Sequence, residues 1–385
     1  MKINKSYKFR IYPTDSQKEF LTNQFGCCRF VYNYFLRKRI DFYAENKDNK
    51  KKSLTYKDTC AQLTQLKNIE QFSWLTEGNS QTLQQSLRHL DVSYHNFFNK
   101  QDKFPKFKSK RNKQSFIVPQ HFLIQDEKGF INIPKLLPLK TVFHRPIKGT
   151  PKSITISQTP SGKYFASILC EFDVEVIPKT TGNRIGIDLG LKAFLVTSDE
   201  LKIDAPKFFR KSELKLAKAQ RVLSRRKKGS NKRNKAKLKV AILYEHISNQ
   251  RLDFLHKLSS QLVSENQAIF VEDLNVKGMI KNHRLSKSIS DVGWSEFLRQ
   301  LDYKSKWTGT TFFQIDRFFP SSKRCNSCGW INEDLKLSDR IWNCSSCNSI
   351  VDRDYNAAKN ILQFGELSMI GKDIAESITP KKIRT

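Results

Sequence analysis

The chain has 385 residues, enough for two or more domains with real cores. It carries 69 basic and 37 acidic residues, a formal charge of +32, which would repel itself strongly unless a polyanion neutralises it. The cations span the whole chain rather than one amphipathic helix, so nucleic acid is the expected partner and a membrane surface is not.

No apolar run approaches bilayer length. Met1 to Lys5 carries charge with no apolar core behind it, so no secretory leader is expected. A cytoplasmic, nucleoid-associated protein is the resulting expectation. Cys27, Cys28, Cys60 and Cys170 show no paired spacing and read as small buried hydrophobes or idle thiols.

Tyr7, Phe9 and Ile11 alternate with Lys8 and Arg10, which predicts a strand ended by Pro13. Thr14 with Gln17 forms a capping box for a helix running to about Glu45. Further helices are expected over about 56–66 and 82–98. Their aromatics read as a helical core rather than a base-stacking platform.

Lys100 to Lys113 holds seven basic residues and one acid, with Phe104 and Phe107 interleaved and Pro105 breaking any helix. It reads equally as a solvated loop or as a phosphate-tracking one through Lys106, Lys108, Lys110 and Arg111. From Ser115 to about Val176 short β-rich runs alternate with Gly and Pro. A small barrel or sheet is expected there, completed by the first strand, with the helices inserted into it. Pro178 to Gly182 reads as a linker.

R-I-G-I-D-L-G at 184–190 predicts a buried strand ending in Asp188, with 194–198 returning as a hairpin. Lys207 to Lys239 carries fifteen basic residues and a single acid, Glu213. It reads as a helical hairpin turning at Gly229-Ser230, one stripe apolar and the other face cationic. Arg221, Arg225, Arg226, Lys227, Lys228, Lys232 and Arg233 are its candidate nucleic-acid contacts. Ala268 to Val271 is a further buried strand, ending at Glu272-Asp273. A helix over 294–303 and a strand over 310–319 lead into the cysteines.

Cys325, Cys328, Cys344 and Cys347 are spaced C-x2-C-x15-C-x2-C. Two such knuckles can converge four thiolates on one tetrahedral Zn2+. Asp352 and Asp354 follow, the latter read as capping a helix to about Gln363, with a loosely held end from Gly365.

Asp188, Glu272 and Asp354 each close an apolar strand or open a helix. Three acids meeting at one point repel unless cations sit between them, which suits two Mg2+ ions and phosphodiester hydrolysis. Each acid alone has a blander reading: an actin-like phosphate loop, a salt-bridge partner, a helix N-cap. Strand alternation turns Asp273 away from Glu272, and Asp352 remains beside Asp354 as an alternative. The ATPase reading would need glycine-rich loops, and glycine is scarce after Gly190.

G-I-D-L-G at 186–190, V-E-D-L-N-V-K-G-M at 271–279, S-S-K-R-C-N-S-C-G at 321–329 and D-R-D-Y-N-A-A-K-N-I at 352–361 resemble the TnpB (OrfB) family of insertion-sequence proteins, relatives of type V CRISPR effectors and Fanzor proteins. The resemblance covers nearly the whole chain.

It implies an α/β multidomain protein: a β-barrel wedge domain (1–13 and 115–178), a helical recognition domain (14–114), an RNase H-like RuvC nuclease domain (179–320 and 350–365), an inserted zinc ribbon (321–349) and a tail (366–385). It implies catalysis by Asp188, Glu272 and Asp354 on two Mg2+, with one Zn2+ on the four cysteines. It also implies an element-derived guide RNA, a double-stranded target DNA read beside a short adjacent motif, and one protein monomer per RNA. Asn326 and Asn348 depart from the Pro and Gly many members carry, which bears on knuckle geometry. A nuclease-inactive nucleic-acid-binding regulator and a strand-joining transposase are the alternatives.

Overall fold

The structure is a computed structural model that describes residues 2–48, 53–111, 113–180, 182–336 and 338–378. The chain divides into two compact units, Met1–Val174 and Glu175–Thr385. The boundary falls just before the expected linker, and Lys179 already belongs to the second unit. Its ammonium donates to the carbonyls of Val263, Ser264 and Asn266.

In the first unit β1 (Lys2–Ile11) leads into α1 (Asp15–Glu45), α2 (Tyr56–Lys67), a 3-10 segment (Glu70–Thr76) and α3 (Ser80–Phe98). The strands β2 (Gln114–Val118), β3 (Leu123–Gln125), β4 (Phe130–Ile133), β5 (Leu136–Val142), β6 (Thr150–Gln158) and β7 (Tyr164–Asp173) follow. The order is β2-β6-β7-β1-β5-β4-β3, antiparallel throughout. β1 lies between β7 and β5, so the three helices are an insertion between strands of one sheet. The sheet ends at β2 and β3, and no ladder among the described residues joins them into a barrel.

Thr14 and Gln17 make the expected capping box on α1. A single core joins sheet and helices, from Phe9 and Ile11 through Phe35 and Leu36 to Leu83 and Ile168. The helix aromatics serve that core, as the sequence indicated. β3 and β5 escape sequence reading because each is short or carries proline and lysine in place of a clean alternation.

In the second unit β8 (Asn183–Leu189), β9 (Ala193–Thr197) and β10 (Lys202–Asp204) precede α4 (Phe208–Arg225) and α5 (Asn231–Glu265). Then come β11 (Asn266–Glu272), α6 (Val276–Met279), α7 (Ser286–Val292), α8 (Trp294–Thr308), β12 (Thr311–Ile315), β13 (Ile341–Asn343), β14 (Ile350–Asp352) and α9 (Arg353–Ile378). The main sheet runs β10-β9-β8-β11-β12. β8 pairs antiparallel with β9 but parallel with β11, which is parallel to β12. Leu255, Leu258, Leu262 and Val263 of α5 pack with Trp294, Phe297 and Leu301 of α8 on this sheet's apolar residues Ile187, Ile269 and Val271.

The α4–α5 hairpin forms as its stripe requires, with Leu216, Ala219, Val240 and Ile247 buried between the helices. No side chain on α4 itself caps its first turn. The buried Asp291 of α7 does so instead, accepting from the Phe209 N–H at 3.1 Å while Arg251 holds the same carboxylate at 3.1 Å. An acid at a helix N-terminus satisfies free N–H groups and complements the dipole.

The end from Gly365, expected as a loose tail, continues α9 as helix to Ile378. No helix among the described residues is long and apolar enough to cross a membrane.

Candidate active site and metal centre

Two carboxylates are placed by strand register. Val271 of β11 pairs in parallel with Ile187 of β8, so Glu272 and Asp188 stand side by side one step further on. Side chains alternate across a strand. Asp188 and Glu272 therefore share a face with Gly186 and Phe270, while Ile187 and Val271 point into the α5–α8 core.

That shared face is covered by α9. A Cβ on Gly186 would lie 2.1 Å from the Ala358 carbonyl oxygen and 2.6 Å from the Leu362 nitrogen. A Cβ on Gly365 would meet the Phe270 ring at 2.3 Å. The two glycines let helix and sheet approach closely, so the first turn of α9 comes to the end of β8. Asp354 lies in that turn. The first glycine of G-I-D-L-G is thus a packing requirement of the third acid, located 168 residues later in the chain.

Asp354 does not cap α9. Asp352 does, its Oδ1 accepting from the N–H groups of Asp354 and Tyr355, both at 3.0 Å. The two acids of D-R-D therefore have different partners. Asp352 is committed to the backbone, and the half-buried Asp354 carboxylate has Arg340 at 3.1 Å and Arg353 at 3.2 Å. Neither arginine stands out in the sequence, because two cations among 69 basic residues carry no spacing signal.

The electrostatics follow from this crowding. Burial, then the neighbouring charges of Asp354 and Glu272, push Asp188 up to about 7. Burial, then Asp273, pushes Glu272 up to about 7 as well. Asp273 itself is ion-paired with Arg317. Among the described residues only the cysteines bring three or more ligand atoms within 4.8 Å of one another, so the acids form a looser cluster. Hard carboxylate oxygens, mutual repulsion and raised proton affinity are the properties of a site suited to Mg2+.

The four cysteines do converge. Cys325 and Cys347 sulfurs are 3.8 Å apart and those of Cys328 and Cys344 3.5 Å. A tetrahedron with bonds of about 2.3 Å places sulfurs about 3.8 Å apart, so the cluster fits Zn2+. Each knuckle closes on a residue four positions after its first cysteine, Gly329 at φ 82° and Asn348 at φ 58°. Their N–H groups donate to the Cys325 and Cys344 carbonyls at 2.8 Å. Asparagine tolerates this left-handed conformation better than most side chains, which accounts for Asn348.

Both knuckles are tied to α9. Asn356 receives the Asn326 N–H at 2.9 Å and donates to the Arg324 carbonyl at 2.7 Å. Asn360, fully buried, donates to the carbonyls of Ser321 and Arg324 and accepts from the Asn326 amide. The second knuckle continues through β13 and β14, where Ile341 pairs with Asp352. Asn356 and Asn360 were missed in the sequence. Their signal was two amides four apart on a helix face otherwise built from Ala357 and Ile361.

The candidate nucleic-acid residues sort unevenly. Arg221, Arg225, Arg226, Lys227, Lys228 and Lys232 are exposed on the hairpin. Arg233 is not available in the same way. Its guanidinium donates to the Leu223 and Arg226 carbonyls at 2.8 and 2.7 Å, closing the α4–α5 turn. In the first unit Lys106, Lys110 and Arg111 are exposed. Lys108 is structural in part, its ammonium 3.8 Å above Tyr32 and its backbone held by Asn33. Phe104 packs edge-on against Tyr94 and Phe97, and Phe107 lies under Arg37, so neither ring stands free.

Comparison with known proteins identifies the relatives of this chain. A family model described as "Probable transposase" matches residues 167–283, one described as "Cas12f1-like, TNB domain" matches 294–361, and one described as "Helix-turn-helix domain" matches 1–48. The last span is here one strand and one long helix. A Streptomyces pristinaespiralis protein named "Putative RNA-guided DNA endonuclease" is 40% identical over 94% of this chain and 90% of its own. The Escherichia coli K12 protein of the same name, InsQ, is 32% identical over 99% of this chain and 97% of its own. The fold is similar to that of the protein in the solved "Cas12f1-sgRNA-target DNA complex", with TM-score 0.58 at 14% identity over 94% of this chain and 98% of that one.

Proposed function

Because this chain belongs to the TnpB (OrfB) family of insertion-sequence proteins, we propose that it is an RNA-guided DNA endonuclease whose reaction centre is Asp188, Glu272 and Asp354. The observation that carries the reading is the approach of Asp354, in the first turn of α9, to Asp188 and Glu272 on the sheet face that α9 covers. Asp188 stands near enough to Asp354 and Glu272 for their charges to add to burial in raising its proton affinity.

The three carboxylates would hold two Mg2+, which supply a nucleophilic water and charge stabilisation for phosphodiester hydrolysis. What the chain does around them follows from its own residues. Asp188 and Glu272 are held by strand register and Asp354 by α9 and the cysteine ribbon. Arg340 and Arg353 balance the Asp354 charge. Zn2+ on Cys325, Cys328, Cys344 and Cys347 would lock the ribbon that anchors α9. The exposed cations of the α4–α5 hairpin track the phosphates of a guide–target heteroduplex, recognised by backbone and shape while base pairing reads the sequence. The first unit supplies the wedge and recognition surfaces that hold the RNA and read the motif beside the target. One protein copy per RNA, in the cytoplasm at the nucleoid, completes the reading.

The test is the purified protein with its co-purifying RNA, a target plasmid and Mg2+. Cleavage that Asp188→Ala abolishes supports the reading. Binding without cleavage would make the protein a regulator, and joined strands in place of free ends would make it a transposase.

A further inference from the structure

The turn D-R-F-F at 316–319 leaves the C-terminal end of β12. β12 is the parallel neighbour of β11, and Ile315 is the register partner of Glu272. The turn therefore stands on the same sheet edge as Asp188 and Glu272, one strand spacing of about 4.8 Å from the latter.

Several contacts fix its backbone. The Asp273 N–H donates to the Ile315 carbonyl at 3.2 Å. The Asp316 carboxylate accepts from the Phe318 N–H at 2.7 Å, and the Asp316 carbonyl accepts from the Phe319 N–H at 3.2 Å. Arg317 is ion-paired with Asp273. Phe319 stacks on Phe364 of α9, with ring centroids 4.0 Å apart and planes 13° from parallel.

Between these anchors Phe318 is 86% exposed, more than any other large hydrophobic among the described residues. Scattered exposed apolar side chains are ordinary. This one differs in being a ring on a braced turn, on the edge where the carboxylates gather. Its neighbouring cation is already engaged with Asp273, so the turn offers a flat apolar face rather than a charge.

We propose that Phe318 stacks on a nucleobase of the DNA strand being cut, next to the scissile phosphate, and thereby sets that phosphate in register with Asp188 and Glu272. The inference rests on the endonuclease reading above. Every base has a π-face, so a stacking contact works for any sequence, which is what an enzyme directed by base pairing needs. Asp273, the residue after Glu272, braces the turn through Arg317, and Phe364 of α9 braces it through Phe319. The stacking face is thereby fixed to two of the elements that carry the acids.

The experiment compares intact protein–RNA complexes of the native chain, Phe318→Tyr, Phe318→Leu and Phe318→Ala. Target duplexes carry 2-aminopurine at single positions on either side of the mapped cut. The native chain and Phe318→Tyr should quench one or two of these positions, and the Leu and Ala variants should not. Single-turnover cleavage by the Leu and Ala variants should fall about tenfold, with Tyr restoring it, while RNA content and target binding stay unchanged.

Native-rate cleavage by Phe318→Ala together with an unchanged fluorescence pattern would overturn the proposal. So would an effect confined to self-association of the complex. Failure of the endonuclease reading is seen separately, as a native complex that binds its target and leaves it uncut. In that case 2-aminopurine is stepped along each target strand instead, and the stacking contact is overturned when no position is quenched by the native chain and released in Phe318→Ala.

Discussion

The two larger sheets among the described residues are built from similar strands and do opposite things with their ends. Among the described residues of 2–173 every ladder is antiparallel, so neighbouring strand ends alternate in direction. In the second unit β8, β11 and β12 are parallel, and their C-terminal ends meet at one edge. That arrangement brings Asp188 beside Glu272 and places the 316–319 turn on the same edge, next to Glu272. A parallel set collects distant residues at a point, and an antiparallel set spreads them along two sides.

The largest expected break in this contrast is loss of an acid at the shared edge. Asp188→Ala, Glu272→Ala or Asp354→Ala should each lower cleavage at least about a thousandfold, because stabilising the transition-state charge at such a centre is a matter of several kcal/mol. Retained RNA binding, measured by co-purification, separates this from unfolding. The same change at Glu171, on the antiparallel sheet and paired with Lys2 and Lys152, should leave cleavage within about twofold, since exposed pairs contribute little.

Next in size is the cysteine ribbon. Cys344→Ser should abolish zinc binding, measured by atomic emission, and with it cleavage, since the first knuckle, which Asn356 and Asn360 grip, would lose its tie through the metal to the second. Activity surviving in zinc-free protein would contradict the anchoring role.

Gly186→Ala tests the helix-on-sheet approach. Its new Cβ would meet the Ala358 carbonyl at 2.1 Å, and the backbone of α9 cannot rotate away as a side chain can. Overpacking of this kind costs about 1–3 kcal/mol, so Tm should fall by several degrees and cleavage should drop as Asp354 shifts. Gly365→Ala meets only the Phe270 ring and should cost less.

A smaller effect is expected with pH. Asp188 and Glu272 are held up to about 7, against about 4 in an unfolded chain. Between those values the folded protein keeps protons that the unfolded chain has released. Metal-free stability should therefore fall as pH rises from about 4 to about 7 and level off above that. Asp188→Asn should flatten part of this slope in a denaturant titration. A metal-free stability that climbs over the same range would contradict it.

The smallest effects belong to single hairpin cations. Arg225→Ala or Lys228→Ala should each reduce the salt dependence of nucleic-acid binding by about one unit of slope. Arg233→Ala should leave the slope nearly unchanged and lower stability, because its guanidinium serves the α4 carbonyls.

Much of this was legible in the residues. The capping box at Thr14, the hairpin stripe and the cysteine spacing are local patterns, and each formed as the sequence indicated. Barrel closure, the loose end from Gly365 and capping by Asp354 did not form as expected. Helix α9 runs on because its face packs against Phe270, Ile315 and Phe319 of the sheet and its exit, a partner that composition cannot reveal. Asp352 took the cap because its carboxylate, two residues earlier, reaches the free N–H groups of the first turn.

The sequence by itself determined the four thiols, since ligands two residues apart on a knuckle are brought together by the backbone between them. It also determined which acids end strands. Only the tertiary structure decided that Asp188, Glu272 and Asp354 share one face. That depends on β8 and β11 being parallel neighbours and on two glycines letting α9 settle against them. It also decided that Phe318 projects from that edge while Phe319 is held against α9. Spacing along a chain fixes contacts between near neighbours. Contacts across a sheet belong to the packing that pairs its strands.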